Sequence, residues 1–240
     1  MNRIIMMVIR NILLVPFMWC KLCYRAKHAD KYTDEEHFKF LKYIVYRANK
    51  CGNVKIEGHG IENLPKENGF IMTPNHQGLY DTLAIMDVIP VPFSVVAKKE
   101  VADIPFLKQV FACVKAFMMD RDDVRQAMKV ILAVTAEVKN GRNYIIFPEG
   151  TRSKEGNKIG KFKGGSFKAA TKAKCPIVPV ALIDSFKPFD SKSVKQCIVQ
   201  VHFLEPLYYE DYKDLATNEI AELVEQRIQE TINQNIQNEA

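Results

Sequence analysis

The stretch GFIMTPNHQGLYDTLAIMDVI (69–89) passes through three kinds of chain in succession. GFIMTP is a short, continuously apolar run of the kind that forms a strand buried on both faces. NHQG is polar and ends in glycine, a turn signal. YDTLAIMDVI reads as a helix. A strand that runs out through a turn into a helix is the first half of a βαβ unit, so the same succession should recur along the chain.

It recurs from residue 53 onward. NVKIEG (53–58), FSVVAK (93–98), AFMMDR (116–121), NYIIFPEG (143–150) and PIVPVALI (176–183) read as further strands, and VKQCIVQVHFLEPL (194–207) as a late one. Between them PFLKQVFACV (105–114), VRQAMKVILAVTAEVKN (124–140) and GSFKAATKAK (165–174) read as helices, and a polar-rich helix from about Thr217 closes the chain. Strands without strict polar alternation belong in a sheet covered on both sides, and helix-length connections permit parallel crossovers. The expected fold is therefore α/β, with a mostly parallel central sheet flanked by helices. No internal repeat or low-complexity linker interrupts it.

The first fifty residues differ in character. MNRIIMMVIRNILLVPFMWC (1–20) is apolar, yet Arg10 interrupts it and Pro16 follows, a poor match to a membrane span of about 20 residues. No small-residue cleavage site follows, so a removable signal peptide is not expected. A helix lying in the bilayer interface fits these residues better, with its arginines turned to headgroups and Trp19, Tyr24 and nearby basic residues anchoring its end. DEEHFKFLKYIVYRANK (34–50) reads as a second helix, with Phe38, Leu41, Ile44 and Val45 on one stripe and Asp34 capping its start. The expected organisation is an N-terminal pair of membrane-interface helices (1–50) followed by the α/β domain (51–240).

Composition narrows the function. At 240 residues and 48% hydrophobic content the chain suits one sizeable domain with an appendage, and a disordered or collagen-like protein is excluded. The net charge of +6, with Arg3, Arg10, Lys21, Arg25 and Lys27 clustered near the start, points to an anionic surface or ligand. The reading is a membrane phospholipid surface, with no nucleic-acid partner. Six scattered cysteines read as reduced thiols, and Cys20 with Cys23 form a CxxC that lacks a second pair. No metal-ligand cluster stands out, so a metal-free mechanism without a cofactor is expected.

In open α/β sheets ligands gather beyond the carboxyl ends of strands, which is where His76 and Asp81 lie. Five residues on a regular helix turn through about 500°, which leaves two such side chains roughly 140° apart and unable to meet. Gly78 offers a break. His76 then sits in the turn while Asp81 occupies the first helical turn and reaches back to the imidazole. A neutral histidine held this way is a general base of fixed tautomer. The same residues also fit a helix-capping aspartate beside an ordinary turn histidine.

NHQGLYD (75–81) resembles the first signature, N-H-x-x-x-x-D, of the glycerolipid acyltransferases. Three further blocks resemble that family in the same order: AKKEVADIPFLKQVFACVKAFMMDR (97–121), FPEGTRS (147–153) and IVPVAL (177–182). The likeness spans roughly residues 53–205, and its first and third blocks are the most specific. It implies that residues 51–240 form an acyltransferase catalytic domain. It further implies transfer of a fatty acyl group from a thioester, acyl-CoA or acyl carrier protein, to the sn-2 hydroxyl of 1-acylglycerol-3-phosphate (lysophosphatidic acid). The product would be phosphatidic acid, as in phospholipid biosynthesis at the cytoplasmic face of a membrane.

The residues make chemical sense of that implication. His76 would take the proton from the alcohol as it attacks, and Asp81 would orient the ring. No covalent intermediate is needed, since GGSFK (164–168) is not a G-x-S-x-G elbow. Lys98, at the family's lysine position, would stabilise the oxyanion, with Lys99 as the alternative. Arg121, Gly150, Thr151 and Arg152 would bind the acceptor phosphate, while Glu149 would hold Arg152 or Arg121, or bind an acceptor hydroxyl. Lys161, Lys163 and Gly165 would contact donor phosphates or form a plain basic loop. The rival readings are an acyltransferase for another lysolipid, a thioester or lipid hydrolase, and a non-catalytic phospholipid-binding module.

Overall fold

A computed structural model describes residues 3–237, and in it every run read above as a strand contains one. These are β1 (Val54–His59), β2 (Ile71–Pro74), β3 (Ser94–Lys98), β4 (Phe117–Met119), β5 (Tyr144–Ile145), β6 (Ile177–Ile183) and β7 (Cys197–Phe203). They form one sheet in the order β1-β7-β6-β2-β5-β3-β4. All neighbours are parallel except β6 and β7, so the sheet is mostly parallel. The strand that opens the 69–89 stretch is its middle member.

The helices, in chain order, are α1 (Arg3–Arg10), α2 (Val15–Lys27), α3 (Asp34–Gly52), α4 (Asp81–Val88), α5 (Leu107–Cys113), α6 (Val124–Lys139), α7 (Lys168–Ala173), α8 (Lys187–Asp190), α9 (Tyr209–Tyr212) and α10 (Thr217–Gln237). The strand period of two sorts side chains between the two faces. Along β6, Val178, Val180 and Leu182 join the core under α1–α5, whereas Ile177, Ala181 and Ile183 join the one under α6, α7 and α10. Burying a side chain of this size contributes about 1.5–3 kcal/mol. On α10 the buried residues Ile220, Val224, Ile228 and Ile232 recur every fourth position, which tilts an otherwise polar helix onto the sheet.

Helix α3 departs from expectation in two ways. Its cap is Thr33, in a reciprocal box with Glu36: Glu36 N donates to Thr33 Oγ1 (3.2 Å) and Thr33 N donates to Glu36 Oε2 (2.8 Å). Asp34 is thereby free to bind Lys115 (2.9 Å) and Arg142 (2.8 Å). Burial works against its charge, but the two cations outweigh that and hold its carboxyl below the usual range. The stripe Phe38, Leu41, Ile44 and Val45 is buried as expected, but inside the sheet's own core. Helix α3 is thus a layer of the α/β body.

The arginines of the first helix are also placed differently from the interface picture. Arg3 is 1% exposed. Its Nη1 donates to Gly52 O (2.6 Å) and its Nη2 to Ser193 O (2.8 Å) and Lys195 O (2.9 Å). It neutralises the carbonyl end of α3, where a cation is favoured by the helix dipole, and it ties in the loop before β7. Arg10 donates to Cys51 O (3.1 Å) beside it. Outward, α1 and α2 offer apolar residues around their junction, with Arg10, Lys21 and Lys27 exposed as well. The two helices meet at 97°, and around the elbow Ile5, Ile9, Ile12, Leu13 and Phe17 are exposed. No single helix among the described residues is long and apolar enough to cross a membrane.

Candidate active site

Strand β2 pairs with β6 as far as Pro74↔Val180. One residue later the side chain of Asn75 continues the ladder, accepting from Leu182 N (2.7 Å) and donating to Leu182 O (3.0 Å). This fixes the point at which His76 leaves the sheet. The main chain of His76 is then held by the neighbouring segment after β5: its N–H donates to Glu149 Oε1 (2.7 Å) and its carbonyl accepts from Ser153 N (2.8 Å). Its ring stacks on Phe147, with centroids 4.1 Å apart.

Asp81 is the first residue of α4 and is wholly buried. His76 Nδ1 lies 2.7 Å from its Oδ2. Gln77 N (2.7 Å) and Gly78 N (3.0 Å) donate to the same oxygen, and the Ser185 hydroxyl donates to Oδ1. The expected meeting of turn histidine and helical aspartate therefore occurs. Gly78 serves it through its amide, since its φ is not in the left-handed region. A buried carboxylate is tolerable when its lone pairs are filled by donors, and here they are. With Nδ1 donating to Asp81, the imidazole keeps its lone pair on Nε2, and a fifth of the side chain faces solvent.

A set of buried amides supports this pair. Gln77 Oε1 accepts from Ser185 N (2.8 Å), and Gln77 Nε2 donates to Leu182 O (3.0 Å) and Asn157 Oδ1 (2.8 Å). Asn157 in turn donates to Asp184 (3.0 Å). Asn75 and Gln77 lie inside the motif itself, where alternate polar residues in a run that must be buried are a detectable signal. Ser185 and Phe147 carry no such signal in the sequence.

Glu149 does not pair with Arg152 or Arg121. It is 3% exposed, and besides the His76 amide it accepts from Gly160 N (2.8 Å) through Oε2. Burial pushes its carboxyl up from the ordinary value, and these two amide donors pull it partly back. A Cβ at position 160 would stand 2.7 Å from Oε2, which explains glycine there. Gly150 follows at φ +75°, where a side chain would be strained. A methyl group on it would lie 3.2 Å from Lys163 Nζ and 3.6 Å from Arg121 Nη1, so those two cations converge on this turn. Thr151 and Arg152 are exposed beside it, with no side-chain partner among the described residues.

Lys98 ends β3, two strands from β2, roughly 10 Å of sheet width. It is half-exposed, forms an ion pair with Glu100 and makes no contact with His76; Lys99 reaches Asp120 at 3.3 Å. The structure thus unites His76, Asp81, Glu149 and Gly150, brings Arg121 and Lys163 to the same turn, and leaves Lys98 at the rim.

A parallel-sheet domain with a histidine–aspartate pair and a cationic turn beyond the strand ends is the frame of an acyl-transfer enzyme, and an acyltransferase family model matches residues 55–183, more than half of the sequence. The chain belongs to the acyltransferase family. It is 28% identical over 235 residues to a 1-acyl-sn-glycerol-3-phosphate acyltransferase of Salmonella typhimurium, covering 95% of this chain and 92% of that protein. The Escherichia coli protein of the same name matches with the same identity and coverage. Among solved structures, the 1-acyl-sn-glycerophosphate (LPA) acyltransferase PlsC of Thermotoga maritima superposes with a TM-score of 0.70 at 25% identity, covering 95% of this chain and 97% of that one.

Glu149→Gln tests the geometry directly. An amide has one acceptor oxygen for two N–H groups, so one of them faces an NH₂ instead. The expected result is a loss of about 1–3 kcal/mol of stability by denaturant titration, together with a fall in kcat as the His76 main chain shifts. Wild-type stability in this variant would show that the two amides are satisfied in another way.

Proposed function

We propose that this acyltransferase moves a fatty acyl group from a thioester, acyl-CoA or acyl carrier protein, to the sn-2 hydroxyl of 1-acylglycerol-3-phosphate, forming phosphatidic acid. The observation that carries the reading is the His76–Asp81 contact of 2.7 Å beside a turn on which free cations converge, in a chain with full-length likeness to enzymes of that name. An alcohol is a poor nucleophile until its proton is drawn away as the new bond forms. His76 Nε2 takes that proton while the acceptor oxygen attacks the thioester carbonyl. Asp81 stabilises the imidazolium, as the acid does in hydrolase triads. The tetrahedral intermediate collapses, the carbon–sulfur bond breaks, and the leaving thiolate takes the proton back from the imidazolium.

Charge on the intermediate's oxygen needs a donor, and Lys98 is the proposed one. Its ion pair with the solvent-exposed Glu100 is weak enough to give way, because water screens it. The acceptor phosphate is assigned to the turn at Gly150, where Arg121, Thr151 and Arg152 present donors. Docking is assigned to the α1–α2 elbow: its exposed Ile9, Ile12, Leu13 and Phe17 enter the interface of a bilayer, and α3 and Arg3 hold the elbow to the catalytic body.

Incubating the purified protein with each type of thioester and a panel of lysolipids, and identifying products by mass spectrometry, should yield phosphatidic acid from lysophosphatidic acid; free fatty acid alone would identify a hydrolase. His76→Ala is expected to lower kcat by about a hundredfold to ten-thousandfold. Residual activity near wild type would mean that another group is the base. Lys98→Ala should cost about a hundredfold in kcat and Lys99→Ala little; the reverse order would move the oxyanion role to Lys99. Leu13→Asp with Phe17→Asp should reduce sedimentation with phospholipid vesicles, while activity on detergent-dispersed acceptor persists. Undiminished sedimentation would remove the elbow from the docking surface.

A further inference from the structure

Arg121 and Lys163 come from distant parts of the chain, one after β4 and one before α7, yet both reach within 4 Å of one point above Gly150. We infer that Lys163 completes a two-cation seat for a phosphate monoester dianion and so makes the site select its acceptor by headgroup charge. The inference deepens the proposed function and rests on it for the identity of the acceptor, though not for the seat itself.

Two like charges this close repel unless an anion lies between them. The carboxylates nearby are engaged elsewhere. Glu149 is occupied by the His76 and Gly160 amides, Glu100, which acts on Arg121, is paired with Lys98, and Asp120 is paired with Lys99. Lys163 is brought to the turn by its main chain, because its N–H donates to Pro148 O (3.0 Å) and the preceding Phe162 is buried with its N–H on Glu225 (2.6 Å). The absence of a Cβ on Gly150 keeps the space between the two cations open.

A phosphate monoester carries a charge of about −1.5 to −2 near pH 7, and its three terminal oxygens can meet a guanidinium fork and an ammonium together. A phosphodiester headgroup brings a single charge and a substituent where the third oxygen would sit. The seat therefore favours lysophosphatidic acid over lysolipids that bear an alcohol on the phosphate.

The test uses Lys163→Met, which keeps the stem and removes the charge, Lys163→Arg, and Lys172→Met as a control at an exposed position of α7. Calorimetry with glycerol 3-phosphate should show wild-type and Lys172→Met binding, a weakening of about tenfold or more in Lys163→Met, and recovery in Lys163→Arg. In assays, Lys163→Met should raise KM for lysophosphatidic acid about tenfold, with kcat and the thioester KM nearly unchanged, and should raise KM for lysophosphatidylglycerol much less. Failure of the wild type to bind glycerol 3-phosphate, or equal affinity in Lys163→Met, overturns the seat. A rise in the thioester KM alone also overturns it and assigns Lys163 to the donor. Loss of glycerol 3-phosphate binding in Lys163→Met, in an enzyme that does not acylate lysophosphatidic acid, upholds the seat and rejects the proposed acceptor.

Discussion

The Asp81 carboxylate is wholly buried and, among the described residues, pairs with no lysine or arginine. In a medium of low dielectric such a group is tolerable only if donors fill its lone pairs. The donors here come from the imidazole of His76, two amides of the turn after β2 and a hydroxyl after β6. Meeting that demand requires the ends of β2 and β6 and the start of α4 to be in register. Asn75 and Gln77 enforce it by bonding across to Leu182. The geometry that orients the histidine is therefore the geometry that makes the carboxylate bearable, so the fold and the site are stabilised by one set of contacts.

Glu149 plays the matching part from the other side. Strand β5 is only two residues long, so the chain leaves the sheet early and bends over the end of β2. There a second buried carboxylate accepts the His76 amide and the Gly160 amide. His76 is thus held by its main chain through Glu149 and by its ring through Asp81, with Phe147 stacked on one face. Preorganisation of this kind removes orientational freedom before the substrate arrives. It also explains how a glutamate can stand beside the proposed phosphate-binding turn: its charge is directed into the protein.

How much of this was legible in the sequence follows from how far apart the partners are. Strands and helices declare themselves within a few residues, and the seven strands were read because each is a local apolar run. The His76–Asp81 pair was legible for the same reason, being five residues apart across an evident turn. Ser185, by contrast, is 104 residues from Asp81, and Gly160 meets Glu149 through a backbone atom that no side-chain pattern reports. Arg3 misled because an arginine in an apolar segment suits a membrane interface, whereas carbonyls 49 and 190 residues away claim it. At α3 Asp34 was read as the cap, whereas Thr33 holds that position. The reciprocal box needs a spacing of three, which Thr33 has to Glu36 and Asp34 does not.

The distribution of charge in the site carries the synthesis one step further. Both carboxylates nearest the base, Asp81 and Glu149, are buried and saturated with donors, while Arg121, Arg152 and Lys163 are exposed and engage neither of them. A field felt outside the protein depends on where charges lie as much as on their sum, and buried acids compensated by local dipoles project less of it than cations at the rim. The mouth of the site is accordingly positive although its floor contains two acids. Under the proposed function an anionic lipid would be drawn toward the turn at Gly150, while the imidazole beside it keeps a negative partner in Asp81. Separating the two signs by depth is what would let one pocket attract an anion and run base chemistry without the acids repelling it.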